Sequence, residues 1–371
     1  MEPSKHVLVL GATGLVGQAA ARHFAAQPGC RVTAVSRSRP LMLGGAEHLS
    51  LDLDDVHATA AAFSAMTTVT HVVYAAVQEQ GDLVAGWTED EHVRRNARML
   101  RHVLEPLAQA APRLRHVTAL QGPKAYGVHV RPLAIPAREG RGEMREVPNF
   151  YWLQEDELRT RQRGKPWSWT IFRPTLVVGE SVGGSMNLVA TLGVYAALMR
   201  ERGRQLPYPG APGLIKQPSD VDLMARAIDW AGQSPAAANE VFNIDNGEVF
   251  CFETVWPAIC DALGMVPDVP KPLRLADFLA AHAPDWDRIR ARHQLLAPPL
   301  ARFLGTSPML ADFSLGSGPA ALRGPAILSS VKLRQAGFHE VMDSEEMFRK
   351  WFRCYQQHQL LPSPEHEHDK F

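Results

Sequence analysis

Apolar runs of strand length alternate with segments of helical spacing through the first half of the chain. The run over 6–14 ends in a glycine-rich turn and predicts a buried strand, whereas apolar residues recur at helical spacing over 15–27. The alternation continues to a strand predicted over 168–179. Because apolar strands joined by helices are typical of parallel sheets covered on both faces, the pattern predicts an α/β, Rossmann-type doubly wound parallel sheet.

The pattern changes near residue 180, after which helical segments predominate. One further strand with a turn is predicted over 240–250, and a long helical segment over 275–296. The sequence therefore predicts two domains with unequal roles. One is a dinucleotide-binding domain over 1–180 that also receives about 214–250, and the other is a smaller and mainly helical substrate-binding part over 181–213 and 251–361. A mobile tail is expected over 362–371.

Composition narrows the classes of function and location. The formal net charge is zero, which removes the electrostatic case for nucleic acid or an acidic membrane as partner. The four cysteines form no C-x-x-C pair, so neither a disulfide framework nor a zinc site is expected. The start lacks a signal-peptide pattern, and the most apolar region, 188–199, is too short to span a bilayer. A soluble cytoplasmic protein is expected. His366 and His368 lie in the tail without rigid support, so no metal is predicted.

The turn after the first strand, "GATGLVG", carries Gly11, Gly14 and Gly17. Glycines at this spacing let the backbone turn tightly and approach a pyrophosphate, and the following helix N-terminus favours its negative charge. The strand before the turn and the helix after it supply the context that such a motif needs. Dinucleotide binding is therefore predicted, with additional contacts from Thr13, Leu15, Val16, Ala75 and Ala76.

The end of the second strand indicates which dinucleotide is bound. An NAD site usually has an acidic residue there, whereas this chain has "VSRSRP" with Ser36, Arg37 and Arg39. A carboxylate would repel a 2′-phosphate, and arginine can bind it with several donors. NADPH is therefore the predicted cofactor. Asp52 and Leu53 follow the third strand and are predicted to contact the adenine, although a simple strand-end turn explains them nearly as well.

Tyr151 raises a question that spacing alone leaves open. A reductase of the short-chain type would have a lysine four residues later, but this chain has Glu155. The fifth strand ends in "QGPKAYG", where extended short-chain enzymes commonly have serines at the positions of Gln121 and Gly122. A lysine, Lys124, stands on this loop instead. Tyr151 is thus either a catalytic acid with a relocated lysine or an aromatic residue packed in the core.

The sequence resembles the progesterone 5β-reductase/iridoid synthase-like family, an atypical branch of the extended short-chain dehydrogenases. The matching segments occur in the family's order over roughly residues 6–260, and the last hundred residues match only loosely. The segments are "GATGLVG", "VSRSRP", "THVVYA", "NARMLRHVLEPL", "LQGPKAYG", "NFYWLQEDEL", "WTIFRPTLVVGESVGGSMNLVATLGVYAALMRERG" and "EVFNIDNGEVF".

The resemblance implies an NADPH-dependent reduction of an activated C=C bond in an enone or enal. The family's catalytic tyrosine falls on Tyr151 and its catalytic lysine on Lys124. A hydride would go to the carbon β to the carbonyl, and the phenol would stabilise the enolate oxygen. Phe150 and Trp152 could line the pocket or pack in the core. Further cofactor contacts are implied for Gln121, for Pro174, Thr175, Leu176 and Val177 beside the carboxamide, and for Ser185 and Met186 near the phosphates.

Three other interpretations remain open. The same fold and cofactor could serve carbonyl reduction or alcohol oxidation, against which the missing serine argues mildly. A non-catalytic NADP-binding redox sensor would not need Tyr151 and Lys124, which are both present. Sugar-nucleotide epimerisation would require the Tyr-x-x-x-Lys pair and NAD, and neither is indicated. The expected partner is a small apolar enone or carbonyl substrate, and a homodimer stays open as an alternative to a monomer.

Overall fold

The computed structural model describes residues 4–79, 87, 89–317 and 324–364. Within these residues, seven parallel strands form one sheet, and three further pairs of short strands lie outside it. The strands are β1 (Lys5–Leu10), β2 (Cys30–Ser36), β3 (Glu47–Ser50), β4 (His71–Tyr74), β5 (His116–Leu120), β6 (Ser168–Pro174), β7 (Leu176–Val178), β8 (Leu206–Pro207), β9 (Ile215–Lys216), β10 (Pro218–Asp220), β11 (Glu240–Ile244), β12 (Phe250–Cys251) and β13 (Pro267–Asp268).

Helices connect most of these strands, and a 3-10 turn over Pro123–Tyr126 follows β5. The α-helices are α1 (Leu15–Ala25), α2 (Val56–Ser64), α3 (Asp90–Ala110), α4 (Phe150–Gln162), α5 (Leu188–Glu201), α6 (Val221–Ala231), α7 (Phe252–Ala262), α8 (Leu275–Ala281), α9 (Ala283–Arg292), α10 (Leu300–Leu304), α11 (Ser307–Leu315), α12 (Val331–Gln335) and α13 (Ser344–Gln357).

The main sheet has the strand order β3-β2-β1-β4-β5-β6-β11, which confirms the predicted Rossmann-type sheet. The order reverses between β1 and β4, so the connections after these two strands diverge at the carboxyl edge of the sheet. The apolar residues that identified the strands fill the core; Leu8, Val72, Val117 and Ile171 are almost completely buried. Ligands of open α/β sheets bind at such a reversal, beyond the carboxyl ends of the strands.

Two predicted elements are each divided in two. The strand predicted over 168–179 ends at Pro174, and β7 then pairs with β10 instead of joining the main sheet. Proline has no amide hydrogen, so it is suited to the end of a strand. The helix predicted over 275–296 consists of α8 and α9, and Pro284 lies in the first turn of α9, where a missing amide hydrogen is tolerated.

The chain divides into two compact units. The first contains the described residues up to Thr175 together with Val221–Asp245 and Ala326–Val341, and the second contains the remainder. The first unit thus includes the main sheet, as in the predicted dinucleotide-binding domain. Its third segment, 326–341, was not part of that prediction. There, the amide of Ala137 donates a hydrogen bond to the carbonyl of Ile327, which attaches the segment to the first unit.

The sequence predicts neither a membrane-spanning helix nor a metal site. None of the described helices is both long and apolar enough to cross a membrane. No group of three or more histidine, cysteine, aspartate or glutamate side chains in the described ranges is arranged to hold a metal ion. The tail histidines, His366 and His368, lie outside the described residues.

Candidate active site

The glycine turn after β1 has a backbone shape that larger residues would not adopt. Gly11 has φ +84°, and a Cβ atom there would lie 2.6 Å from the carbonyl oxygen of Ala75, with Ala76 at 2.7 Å. A Cβ at Gly17 would lie 2.2 Å from the carbonyl oxygen of Gly11. The backbone after β4 therefore passes too close to Gly11, and the carbonyl of Gly11 too close to Gly17, for any side chain. These close approaches explain why the motif requires glycine at both positions.

Helix α1 begins directly after this turn with its amide groups uncapped. Its N-cap residue is Gly14, which has no side chain to accept a hydrogen bond, and its first turn contains no acidic residue. Thr13 is half-buried, and Leu15 and Val16 pack into the core. The first amides of a helix have no intrahelical acceptor and favour an anion. This arrangement fits the pyrophosphate of a dinucleotide.

The end of β2 presents two guanidinium groups to solvent. Arg37 and Arg39 are exposed, and neither has an ion pair or side-chain hydrogen bond among the described residues. The hydroxyl of Ser36 donates to the carbonyl of Ser38 at 2.8 Å and lies 3.1 Å from Nε2 of His48. Two unpaired guanidiniums close to the glycine turn fit the 2′-phosphate of NADPH.

Residues 52 and 53 are engaged in local contacts after β3. One carboxylate oxygen of Asp52 accepts a hydrogen bond from the amide of Asp54 at 3.0 Å, which closes a turn. The carbonyl of Leu53 accepts a hydrogen bond from Nδ1 of His102 at 3.0 Å. The strand-end turn considered from the sequence is therefore present. Contact of Asp52 and Leu53 with adenine stays a prediction.

Tyr151 lies in the first turn of α4, whose N-cap Asn149 accepts a hydrogen bond from the Tyr151 amide. The phenol ring is buried, and among the described residues its hydroxyl has no hydrogen-bond partner. A Cβ atom at Gly122 would lie 3.4 Å from this hydroxyl. Burial raises the pKa of Tyr151, and the carboxylate of Glu79 raises it further, whereas Arg173 opposes them. The phenol therefore remains protonated at neutral pH and can donate a hydrogen bond.

Lys124 and Tyr151 come from different elements but share one neighbour, Trp87. The Nζ atom of Lys124 lies 3.2 Å from the centroid of the Trp87 ring, whose edge-to-face contact with Tyr151 has a centroid distance of 5.6 Å. Burial lowers the pKa of Lys124 to about 7, and the carboxylate of Glu79 acts in the opposite direction. The lysine on the loop after β5 thus contacts the same aromatic ring as the tyrosine that precedes Glu155 on α4.

Buried hydrogen bonds fix the turn that carries Lys124. The hydroxyl of Tyr126, two residues later, donates to Oδ1 of Asn243 at 2.7 Å and accepts from Nη1 of Arg173 at 3.1 Å. Arg173 is fully buried and also contacts the carboxylate of Glu143 at 2.5 Å. Because Arg173 and Asn243 lie on β6 and β11, the turn is attached to both strands, and Arg173 links it in turn to Glu143 on the loop before α4.

Glu155 occupies the position of the lysine that short-chain enzymes usually have, and arginine side chains surround its carboxylate. Its buried carboxylate lies 2.6 Å from Arg145 and 2.9 Å from Arg159. The amide of Gln121 donates to Glu155 at 3.3 Å and to the carbonyl of Tyr151 at 3.2 Å, while its oxygen accepts from Arg173 at 2.7 Å. The side chain of Gln121 is therefore used within the protein, and its contact with the cofactor stays a prediction.

The two predicted pocket residues differ in their surroundings. The ring of Phe150 lies 4.8 Å from that of Tyr151 and 4.9 Å from that of Trp87 by centroid distance. The Nε1 atom of Trp152 donates to the carbonyl of Met144 at 3.1 Å, and the guanidinium of Arg145 lies 4.6 Å from its ring. Phe150 thus belongs to the aromatic cluster around Tyr151. Trp152 instead holds the loop before α4 through its contacts with Met144 and Arg145.

The sequence analysis missed two rings of this cluster, Trp87 and His92, and the carboxylate of Glu79, whose charge acts on Lys124 and Tyr151. The His92 ring lies 5.5 Å from the centroids of Trp87 and of Phe150. Among the described residues, neither Nε2 of His92 nor Oε2 of Glu79 has a hydrogen-bond partner, although both atoms are buried. The sequence did contain a signal for Glu79, because this acidic residue follows shortly after β4. Ligands bind beyond the strand ends at the reversal of the sheet, where β4 lies.

A family model described as the PRISE-like Rossmann-fold domain matches residues 42–299, which is more than half of the chain. The chain belongs to the PRISE family. The resemblance inferred from the motifs is therefore confirmed. It makes the protein an oxidoreductase of the short-chain dehydrogenase/reductase superfamily, as the sequence predicted.

Relatives from plants and a fungus match most of this PRISE chain. It is 30% identical to the 3-oxo-Delta(4,5)-steroid 5-beta-reductase of Arabidopsis thaliana over 97% of this chain and 95% of that one. It is 29% identical to an (S)-8-oxocitronellyl enol synthase of Nepeta racemosa, covering 96% and 91% of the two chains. A short-chain dehydrogenase of Penicillium aethiopicum is 30% identical, with 79% and 80% covered.

Solved structures support the same fold at lower identity. UDP-glucose 4-epimerase of Thermus thermophilus, in complex with NAD, superposes with a TM-score of 0.63 and 18% identity over 95% of this chain and 99% of that one. The corresponding Thermotoga maritima enzyme gives 0.63 and 17%, with 95% and 99% covered. At this identity the likeness concerns the fold of the PRISE chain and not its reaction.

The segment from Pro174 to Val177, which the family resemblance places beside the nicotinamide, begins in the first unit and ends in the second. Pro174 belongs to the first unit, and its carbonyl lies 3.7 Å from the Cβ position at Gly122; Thr175 ends that part of the unit. The amide of Leu176 donates to the carbonyl of Gln217 in the second unit. The predicted cofactor contacts of this segment stay predictions, as do those of the second-unit residues Val177, Ser185 and Met186.

Proposed function

We propose that this PRISE protein is an NADPH-dependent reductase of activated C=C bonds, acting by 1,4-reduction on a small or medium apolar enone or enal. The observation that carries the proposal is the buried residue Tyr151, whose hydroxyl lacks a partner among the described residues and whose ring shares the neighbour Trp87 with Lys124. The 5-beta-reductase name of the Arabidopsis thaliana relative supports the same reaction class.

The residues at the carboxyl edge of the sheet fit NADPH. Gly11, Gly14 and Gly17 would receive the pyrophosphate at the N-terminus of α1, and Arg37 and Arg39 would bind the 2′-phosphate. When bound, the dinucleotide supplies the hydride that the reduction requires. Trp87, Phe150 and Tyr151 provide apolar surface that excludes water from the substrate.

Tyr151 would act as a hydrogen-bond donor. As the β-carbon of an enone gains a hydride, negative charge develops on the carbonyl oxygen, and a donor placed at that oxygen stabilises the resulting enolate. Because burial and Glu79 raise the pKa of the phenol, Tyr151 keeps its proton and is suited to this role. Protonation of the α-carbon then completes the saturated product. The ammonium of Lys124 would add positive charge on the same side.

A turnover panel tests the proposal. The purified protein would be incubated with NADPH, and in parallel with NADH, in the presence of enones, enals, simple ketones and alcohols. The absorbance of the reduced nicotinamide would be followed and the products identified. Saturated ketones or aldehydes formed from enones or enals, with NADPH preferred, are expected. Allylic alcohols, or turnover of simple ketones alone, would instead indicate a carbonyl reductase, and tight NADPH binding without turnover would indicate a sensor.

A further inference from the structure

Arg173 is a fully buried cation on β6. This strand lies in the interior of the main sheet, between β5 and β11, and Arg173 is the register partner of Asn243 on β11. A buried charge is costly unless it is paired, and apolar side chains of similar size often stabilise a core equally well. The guanidinium at this position is therefore better explained by the geometry that it imposes than by the stability that it adds.

One side of the guanidinium holds the turn that carries Lys124. The Nη1 atom of Arg173 donates to the hydroxyl of Tyr126 at 3.1 Å, and that hydroxyl donates to Oδ1 of Asn243 at 2.7 Å. Because a phenol can donate only once, the bond to Asn243 leaves the Tyr126 oxygen as an acceptor for Arg173. Tyr126 is the last residue of the 3-10 turn that begins at Pro123, so Lys124 lies within one turn of this contact.

The other side of the guanidinium holds the start of the helix that carries Tyr151. The Nε atom of Arg173 donates to Oε1 of Gln121 at 2.7 Å, which fixes the orientation of this side-chain amide. The Nε2 atom of Gln121 then donates to the carbonyl of Tyr151 at 3.2 Å and to Glu155, one turn later, at 3.3 Å. Arg173 is thus bonded to the lysine turn directly and to the backbone of Tyr151 through one intervening side chain.

Two carboxylates supply the counter-charge of Arg173. That of Glu143 lies 2.5 Å from Nη1, and that of Glu155 lies 3.8 Å from Nη2. A lysine in place of Arg173 could keep an ion pair with one carboxylate, but a single ammonium does not reproduce the planar fork that reaches two segments at once. The shape of the guanidinium, rather than its charge, is therefore what joins the two segments.

We propose that Arg173 is a positioning residue that holds the turn of Lys124 and the first turn of the Tyr151 helix in one fixed relation. The catalytic consequence rests on the proposed function, whereas the structural relation does not. A turn and a helix end open locally more readily than the centre of a sheet, so each gains from a bond to an interior strand. A misplacement of about 1 Å can cost about 10²-fold in rate. Loss of Arg173 should therefore slow turnover while substrate and nucleotide still bind.

The first test measures the two segments directly and needs no turnover. Amide hydrogen exchange of the full-length protein would be followed by mass spectrometry of peptides covering 121–127 and 150–156. Arg173→Met should speed exchange in both segments by about tenfold, the effect of losing roughly one hydrogen bond in each. Peptides covering β1 and α1 should exchange as in the parent. Unchanged exchange in either segment, or equal acceleration throughout the chain, would overturn the proposal.

Two further variants make the result specific. Arg159→Met removes an exposed arginine that reaches the same cluster through Glu155, at 2.9 Å, and it should leave exchange in both segments unchanged. Arg173→Lys keeps the positive charge without the fork, so both segments should still exchange faster than in the parent. If Arg173→Met does not fold, as judged by circular dichroism, Arg173→Lys becomes the test. Exchange equal to that of the parent in this variant would contradict the proposal.

The second test uses an enone that the parent protein reduces. Arg173→Met and Arg173→Lys should each lower kcat by about 10- to 100-fold, with KM for the enone and for NADPH nearly constant. Adding Tyr126→Phe to Arg173→Met should cost little more, because both changes remove the same connection. Restoration of kcat by Arg173→Lys, a loss confined to KM, or additive losses in the double variant would overturn the proposal. If the parent reduces no enone, the proposed function fails, but the exchange result still decides whether Arg173 holds the two segments together.

Discussion

The hydroxyl oxygen of Tyr151 lies 3.4 Å from the point that a Cβ atom would occupy at Gly122. Extended short-chain enzymes commonly have a serine on this loop, and its loss leaves the phenol without a neighbouring hydroxyl from that side. The same loop supplies Lys124 two residues later. One stretch of backbone after β5 thus makes space for the tyrosine hydroxyl and carries the lysine that shares the Trp87 contact with it.

Tyr151→Phe should lower the activity without lowering the stability of the fold. Removing the phenolic donor should reduce kcat/KM for an enone by about 10²–10³, a typical cost of losing one oxyanion donor. The melting temperature should change little, because the hydroxyl has no partner among the described residues. Tyr126→Phe is the contrasting variant, since its hydroxyl bonds to Arg173 and Asn243, and it should cost about 1–3 kcal/mol of stability. Full activity in Tyr151→Phe would exclude the phenol as the donor.

Glu155→Lys would recreate the Tyr-x-x-x-Lys spacing, but we expect it to destabilise the protein. The new ammonium would be buried beside Arg145, Arg159 and Arg173. Breaking a buried ion pair typically costs about 3–5 kcal/mol, which urea denaturation would measure. The matched control, Asp156→Lys, changes a neighbouring exposed carboxylate and should cost much less. Rescue of a Lys124→Met variant by Glu155→Lys would show that residue 155 can act as the missing lysine.

Replacing both Arg37 and Arg39 with alanine should weaken binding of NADPH by about tenfold or more while leaving NADH binding nearly unchanged. A hydrogen bond from a guanidinium to a phosphate is charge-assisted, so losing it weakens binding of NADPH. NADH has no 2′-phosphate and makes no such bond, so its binding does not depend on these arginines. Titration of each nucleotide by protein fluorescence would measure the two affinities. Arg31→Ala serves as control, because this exposed arginine of β2 pairs with Glu47 instead. An equal loss for both nucleotides would argue against a 2′-phosphate site.

Buried histidines at the amino ends of β4 and β5 should make the fold sensitive to acid. Burial, aided by Lys5, lowers the pKa of His71 to about 4, and burial lowers that of His116 to about 3. Both must therefore remain neutral in the folded protein but gain protons on unfolding below about pH 6.5. Their stabilisation is present above that pH and is lost as the pH falls toward 4. For His71 the loss should be on the order of 3 kcal/mol.

Urea denaturation at several pH values would measure this loss. His71→Gln cannot titrate, so its free energy of unfolding should fall less steeply between neutral pH and pH 4 than that of the parent, even if it is less stable at neutral pH. His57→Gln changes an exposed histidine and should give a curve parallel to that of the parent. Parallel curves for all three proteins would mean that His71 is not the source of the acid sensitivity.

The amino-acid pattern by itself determined the Rossmann-type sheet and the glycine turn, whereas the choice of Tyr151 and Lys124 as a pair to test came from the resemblance to a known family. Strand and helix periodicity depends on which face of an element is buried, and the glycine spacing depends on local backbone geometry, so both are visible in a linear sequence. The predicted strand breaks at Pro174 for a local reason, because proline has no amide hydrogen to donate. The pairing of β7 with β10 that follows from the break depends on a segment that comes after α5 in the chain.

Only the tertiary structure decided what the side chains around Tyr151 do. Glu155 could have faced solvent, but folding buries it against arginines from a loop and from its own helix. Glu79 and Trp87 come from the region between β4 and α3, and nothing in their spacing links them to a lysine after β5. Burial and the electric field of distant charges set the protonation of Lys124 and Tyr151, and both arise from residues that are neighbours only after the chain has folded.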